Sequence, residues 1–166
     1  MPGKTAVEGS YSVTGTYGTL VLNASTGAYA YTLNNSAAAV QALGASSSET
    51  ETFSVQVTDG SNTPTAQNLS FTIKGANDAP SSVALSSTSV VENSAGAVVG
   101  ALSASDAEGT AVTYTIAAAG DGALFEVDGS NNLKLKSSVT ADLETKSSYS
   151  VTVDATDGDA TTSKGF

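Results

Sequence analysis

The chain has no cysteine, histidine, arginine or tryptophan, and only one methionine. Without cysteine no disulfide can staple the fold. The absence of histidine and cysteine also removes the Ser-His and Cys-His pairs of nucleophilic catalysis, and the nitrogen and sulfur donors that zinc prefers. Basic charge is scarce as well: six lysines face sixteen carboxylates, for a net charge of −10. A nucleic-acid partner demands clustered Lys and Arg to neutralise phosphates, and that requirement is not met. No hydrophobic run approaches the roughly 20 residues needed to cross a bilayer, so no membrane span is expected. The opening Met1-Pro2-Gly3-Lys4 carries no signal-peptide core. Large apolar residues are few and Ser, Thr, Ala and Gly abundant, a composition typical of exported, repetitive β modules. We therefore expect a fragment of a secreted or cell-surface protein, with 1–4 an expression remnant.

What is present is a succession of short alternating runs. Leu20 and Leu22 precede a turn at Asn23-Ala24-Ser25-Thr26-Gly27, and Tyr29, Tyr31 and Leu33 follow it, which predicts a β-hairpin. Gly15 and Gly18 interrupt the approach and predict a short or bulged first strand. Residues 37–44, Ala-Ala-Ala-Val-Gln-Ala-Leu-Gly, follow Ser36 as a helix cap and end on glycine, which predicts one or two helical turns. Phe53, Val55 and Val57 alternate up to Asp59-Gly60, and Leu69, Phe71 and Ile73 alternate after a turn. Beyond Pro80, strands are predicted over 83–91, 98–104, 112–116, 124–127, 133–135 and 149–155, with a seventh begun near Thr161. Strands this short, separated this often by Gly, Asn and Asp, point to a sandwich of about seven strands. A loose repeat joins the halves, since 53–60 and 151–158 are both alternating strands that end on Asp-Gly. The organisation expected is a β module over 1–74, a linker over 75–80 and a β-sandwich module over 81–166.

The linker Gly75-Ala76-Asn77-Asp78-Ala79-Pro80 is hard to bury. Gly75 relaxes the backbone, while Pro80 fixes its own φ and pushes Ala79 toward extended geometry. Taken alone, Asn-Asp is an ordinary turn signal. Counting along the strands at roughly 3.3 Å per residue gives the carboxylates a pattern. Asp106, Glu108 and Asp157 fall at the pole of the second module next to the linker, and Glu92, Asp142 and Glu144 at the opposite pole. Glu51 opens the strand that Asp59 closes, which puts Glu51 toward the linker. The junction thus gathers Glu51, Asn77, Asp78, Asp106, Glu108 and Asp157, and the outer pole holds an incomplete half-site of Glu92, Asp142 and Glu144. Carboxylates and amides without nitrogen or sulfur donors suit Ca²⁺, which takes six to eight oxygens.

These residues also carry two resemblances. Val90-Val91-Glu92-Asn93, Asp106-Ala107-Glu108, Asp142-Leu143-Glu144 and Ala155-Thr156-Asp157, preceded by Asn77-Asp78-Ala79-Pro80, resemble the ordered motifs of a bacterial cadherin-like repeat over 75–166. Glu108 stands where the family usually has Asp, and Gly75 at the leading linker Asp. Gly15-Thr16-Tyr17-Gly18-Thr19-Leu20, Tyr29-x-Tyr31-x-Leu33, Ala39-Val40-Gln41-Ala42-Leu43-Gly44 and Val57-Thr58-Asp59-Gly60 resemble the VCBS repeat of large bacterial surface proteins, from about Gly15 to Pro80. Ser47 stands at that family's usual glutamate, which bears on an ion site at Asp59 and Glu8. The resemblances imply two tandem Greek-key, cadherin/Ig-like β-sandwich modules in an all-β chain, the first missing its opening strands and the second the end of its last. They further imply calcium-stiffened extender modules of an RTX-type adhesin, acting in cell adhesion or biofilm attachment, whose partners are neighbouring modules of the same chain and copies recruited by open strand edges.

A different function also fits the residues. Tyr29 and Tyr31 would stack on a sugar ring if they pointed outward, giving a carbohydrate- or protein-binding module, whereas an alternating pair turned inward is core. Catalysis is not expected: paired carboxylates can hydrolyse glycosides, but these sit at module poles with no apolar pocket implied around them.

Overall fold

A computed structural model describes residues 4–7, 9–56, 61 and 65–166. The described residues are all-β apart from two short helical turns, and the chain's contacts divide it into two compact units, Met1–Ala76 and Asn77–Phe166.

In the first unit, strands β1 (Lys4–Val7), β2 (Ser10–Thr14), β3 (Gly18–Asn23) and β4 (Tyr29–Leu33) form an antiparallel sheet in sequence order. The expected hairpin is β3–β4, with Leu20 opposite Tyr31 and Leu22 opposite Tyr29. Asn23 closes its turn, because its side-chain oxygen accepts the amides of Ser25 and Thr26. Of the short or bulged strand predicted at Gly15 and Gly18, the short one is found: β2 stops at Thr14, just before Gly15, and β3 begins at Gly18, with the Gly15 amide donating to the Gly18 carbonyl across the turn. A Cβ at Gly18 would run into the Tyr31 ring, so a bare backbone is required there.

The helix α1 (Ala38–Gln41) is one turn long. Ser36 is not its cap: Ala37 takes that position without a side-chain bond, while the Ser36 hydroxyl donates to Asn34 instead. Strands β5 (Ser48–Gln56) and β6 (Ala66–Lys74) pair along their whole length as a separate two-stranded sheet. Aromatic packing joins the sheets, with Tyr31 of β4 stacked on Phe71 of β6 at 4.4 Å between ring centroids and Phe53 of β5 beside both. Gly75 is not the relaxed hinge expected of it. Its amide donates to the Ser47 carbonyl, and a Cβ there would meet the Leu43 and Gly44 carbonyls.

The second unit is a two-sheet sandwich of seven strands. One sheet runs β10 (Phe125–Val127), β11 (Asn132–Leu135), β8 (Val98–Ser105), β7 (Ser81–Leu85); the other runs β13 (Thr161–Gly165), β12 (Thr152–Thr156), β9 (Thr113–Ile116). Leu102, Phe125, Leu133 and Leu135 of the first sheet meet Val153 of the second in the core. The strand read over 83–91 stops at Leu85, where serine side chains take over the backbone bonding. The Ser86 hydroxyl accepts the Ala101 amide and the Ser87 hydroxyl accepts the Ser89 amide. The strand read over 149–155 starts at Thr152, because the Ser150 amide turns aside to the Asp121 carboxylate. The seventh strand is no stub; all five residues of β13 pair with β12.

Candidate functional site

Five of the six residues expected at the junction belong to the second unit, and hydrogen bonds tie four of them together. The Asn77 side-chain amide donates to Asp157 Oδ2 at 2.9 Å, and the Asp78 backbone amide donates to Glu108 Oε1 at 3.1 Å. Asp106 opens the loop that carries Glu108, and its Oδ1 accepts the Thr110 amide at 2.8 Å. β12 ends just before Asp157, which folds back so that Oδ1 accepts the amides of Asp159 and Ala160, both at 2.7 Å. Two oxygens of this group are buried without any hydrogen-bond partner: Asp106 Oδ2 and Glu108 Oε2. A carboxylate oxygen shut from water and given no donor is costly, and a cation is the natural complement to it. No three carboxylates converge in a way that could hold a metal ion among the described residues.

Donors to Asp157 favour its charged form. The Ala160 amide first, then the Asn77 side chain, hold its carboxyl below the usual carboxylate range. A depressed folded-state pKa contributes stability above the unfolded value that is lost as pH falls toward the folded one. Acid titration should therefore soften the second unit below about pH 4, the ordinary Asp range, with Asp157→Asn removing part of that dependence in a melting series. A steeper acid loss in the variant would refute it.

At the other predicted pole the three acids are exposed. Glu92 accepts the Leu143 amide at 3.3 Å, and Asp142 accepts the amides of Glu144 and Thr145 and, at 2.7 Å, the Thr145 hydroxyl. The Thr145 hydroxyl is the leading reason the Asp142 carboxyl is held low. Asp142 is thereby the organiser of a local turn, and Glu92 is tied to that turn through Leu143.

Glu51 lies in the first unit, on β5 opposite Phe71, and is 8 % exposed. Its Oε1 accepts the Thr16 amide, and the Tyr17 amide at 3.1 Å; its Oε2 accepts the Tyr31 hydroxyl at 2.7 Å. Gly15 makes the approach feasible, since a Cβ there would collide with the carboxylate. Sequence reading missed this role, although the Gly15-x-x-Gly18 spacing marks a turn whose amides can face a buried acid. Burial, and then the bond and the charge of Glu51, push the Tyr31 hydroxyl up to about 12. Titration followed by ultraviolet absorbance should show Tyr31 ionising near 12, and Glu51→Gln should bring it down. A Tyr31 that titrates near 10 would contradict the buried pair.

Tyr31 is thus a core ring, as the inward alternative required, whereas Tyr29 is 55 % exposed and touches Phe71 edge-on at 6.1 Å. Asp59 and Glu8 lie outside the described residues. Asp121 and Asp128 were not singled out by sequence. Asp121 is pinned by Lys146 and the Ser150 amide, and Asp128 closes the 128–132 turn through Asn132, so both have structural duties that their Asp-Gly positions signal.

Fold and site together define a class: an all-β chain of β-sandwich modules in which Asn77, Asp78, Asp106, Glu108 and Asp157 lie outside the strands. No protein-family model and no curated protein matches the chain. Solved structures similar to it include human protocadherin-24 EC1-2, at 24% identity and TM-score 0.45 over 54% of this chain and 42% of that one. The protocadherin gammaB4 extracellular domain is 14% identical, with TM-score 0.47 over 98% of this chain and 25% of that one. Mouse protocadherin-24 EC1-3 is 16% identical, with TM-score 0.45 over 99% and 54%. The chain spans only about a quarter to a half of the length of these structures.

Proposed function

We propose that this chain is a pair of calcium-stiffened, non-catalytic extender modules from a secreted or cell-surface bacterial adhesin, a VCBS-like module followed by a cadherin-like one. One observation carries the reading: Asp106 Oδ2 and Glu108 Oε2 are buried without partners, in loops already bonded to the Asn77-Asp78 segment. Asn77, Asp78, Asp106, Glu108 and Asp157 are the residues that would hold the ion. Calcium would supply the positive charge that turns repelling carboxylates into ligands. The ion reading rests on these orphaned oxygens and not on a preassembled cage. Glu51 is left out, because both its oxygens are committed to donors of its own unit. Since 77–78 is also where the first unit joins the second in sequence, ordering it would stiffen the join. Edge strand β13 is where self-association would begin.

Calorimetric titration tests the assignment. Asp106→Asn should weaken the tightest calcium event at least tenfold, whereas Glu144→Gln at the exposed outer pole should leave it unchanged. Loss of that event with Glu144→Gln alone would reverse the two poles. A carbohydrate- or protein-binding module is the second reading, favoured by the exposed ring of Tyr29, and heat on adding calcium is not expected from it.

A further inference from the structure

Three Asn-x-Ser sequences are present, Asn23-Ala24-Ser25, Asn34-Asn35-Ser36 and Asn68-Leu69-Ser70, and all fall in the first unit. Each has the acceptor pattern for an N-linked sugar, a bulky group that needs its asparagine in a surface loop. The fold treats the three differently.

Asn68 sits within β6 in register with Ser54 of β5, so the ladder holds its backbone extended. The hydroxyl of its third residue, Ser70, is shared with that of Thr52 at 3.0 Å. Asn23 ends β3 and is half-buried. Its side-chain oxygen accepts the amides of Ser25 and Thr26, its own amide donates to the Ala28 carbonyl, and its carbonyl accepts the Gly27 amide. The tight hairpin is wound around it.

Asn34 lies where the chain leaves β4, and 34–36 are all exposed. Its amide donates to the Tyr17 carbonyl and its carbonyl accepts the Ala37 amide, which fixes a turn that projects the side chain from no ladder. Its Oδ1 accepts both the Ser36 amide at 3.2 Å and the Ser36 hydroxyl at 2.8 Å, while its Nδ2 bonds to no described residue. An amide nitrogen is a poor nucleophile because its lone pair is shared with the carbonyl. It gains reactivity as it gives up a proton and charge gathers on Oδ1, and two donors aimed at that oxygen favour the change. Of the three sequences, Asn34-Asn35-Ser36 alone combines an exposed turn, a free side-chain nitrogen and the serine hydroxyl on the same amide.

We propose that Asn34 is a site of N-linked glycosylation on the folded chain. Nδ2 attacks the anomeric carbon of a sugar carried on a phosphate or diphosphate. The C–N bond forms as the C–O bond to phosphate breaks, the electron pair leaves with the phosphate, and the Nδ2 proton passes to a base of the transferase. This goes beyond the extender reading and does not depend on calcium.

The test incubates the folded chain with UDP-glucose and a soluble asparagine glucosyltransferase, chosen because it modifies free peptides spanning each of the three sequences. The intact mass should rise by one hexose, and peptide mapping should find Asn34 occupied at least tenfold more than Asn23 or Asn68. Ser36→Ala should abolish the modification with the circular dichroism spectrum unchanged, and Ser36→Thr should retain it. Equal modification of Asn23 or Asn68 in the folded chain, or an Asn34 left bare while its free peptide is modified, would overturn the selection made by the fold. Chain recovered from the cells that produce it should carry a sugar on the peptide containing Asn34, and a bare Asn34 there would overturn the site itself.

Discussion

In millimolar calcium the second unit should melt well above its temperature in chelator, and scattering should report a longer particle with a narrower spread of lengths. Sites in extracellular modules bind calcium with constants of about 10⁻⁴ to 10⁻³ M, and calcium at about a hundred times that constant adds roughly 2.7 kcal/mol per site. For a module of this size that corresponds to a rise of about 10 °C or more. The origin is electrostatic. The carboxylates of Asp78, Asp106, Glu108 and Asp157 are not partnered by any lysine among the ion pairs of the described residues, and two of their oxygens are buried without donors. No hydrogen bond reaches the Asp78 carboxylate among the described residues, so its oxygens are open to an ion while its backbone amide stays on Glu108. Asp78→Ala should erase most of the calcium-dependent difference in both melting and length. If the unmutated chain is indifferent to calcium in both measurements, the extender reading loses its mechanism and the binding-module alternative takes its place.

The second large effect is expected at Glu51 and confined to the first unit. Glu51→Ala removes the acceptor of a tyrosine hydroxyl and two backbone amides at a buried position. Leaving donors unsatisfied away from water costs about 1–3 kcal/mol each. With partial relaxation we expect a loss of about 3 kcal/mol, seen in urea as an earlier first transition while the second unit's transition stays in place. Two transitions are the appropriate description, because a chain of two compact units is not a two-state system. Glu51→Gln keeps the size and one acceptor oxygen and should cost about half as much. If both variants unfold as the parent chain does, Glu51 is no keystone, and its commitment to its own unit ceases to be a reason for leaving it out of the calcium ligands.

The alternating runs were legible because period-two patterning is a local property. Leu20 and Leu22 against Tyr29 and Tyr31 had to become a hairpin, and Asn23 with Gly27 had to turn it. The seven-stranded second unit followed in the same way from short apolar segments divided by Gly, Asn and Asp. The absence of His and Cys by itself removed the commonest catalytic pairs, since no fold can restore a missing functional group. The ends of strands were not legible. Whether Ser86 and Ser150 stay in a ladder depends on what lies beside them, and Ala101 and Asp121 arrive from elsewhere in the chain. The same limit applied to the acids. Counting along strands gives height, but not which donors fold over a carboxylate. Glu51 is inseparable from Thr16, Tyr17 and Tyr31, which reach it across 20 to 35 residues of sequence. Asp106 and Glu108 are left with bare buried oxygens because packing closes over them and brings no donor. Residue type determined what these carboxylates can do, and tertiary packing decided which of them have oxygens left to do it.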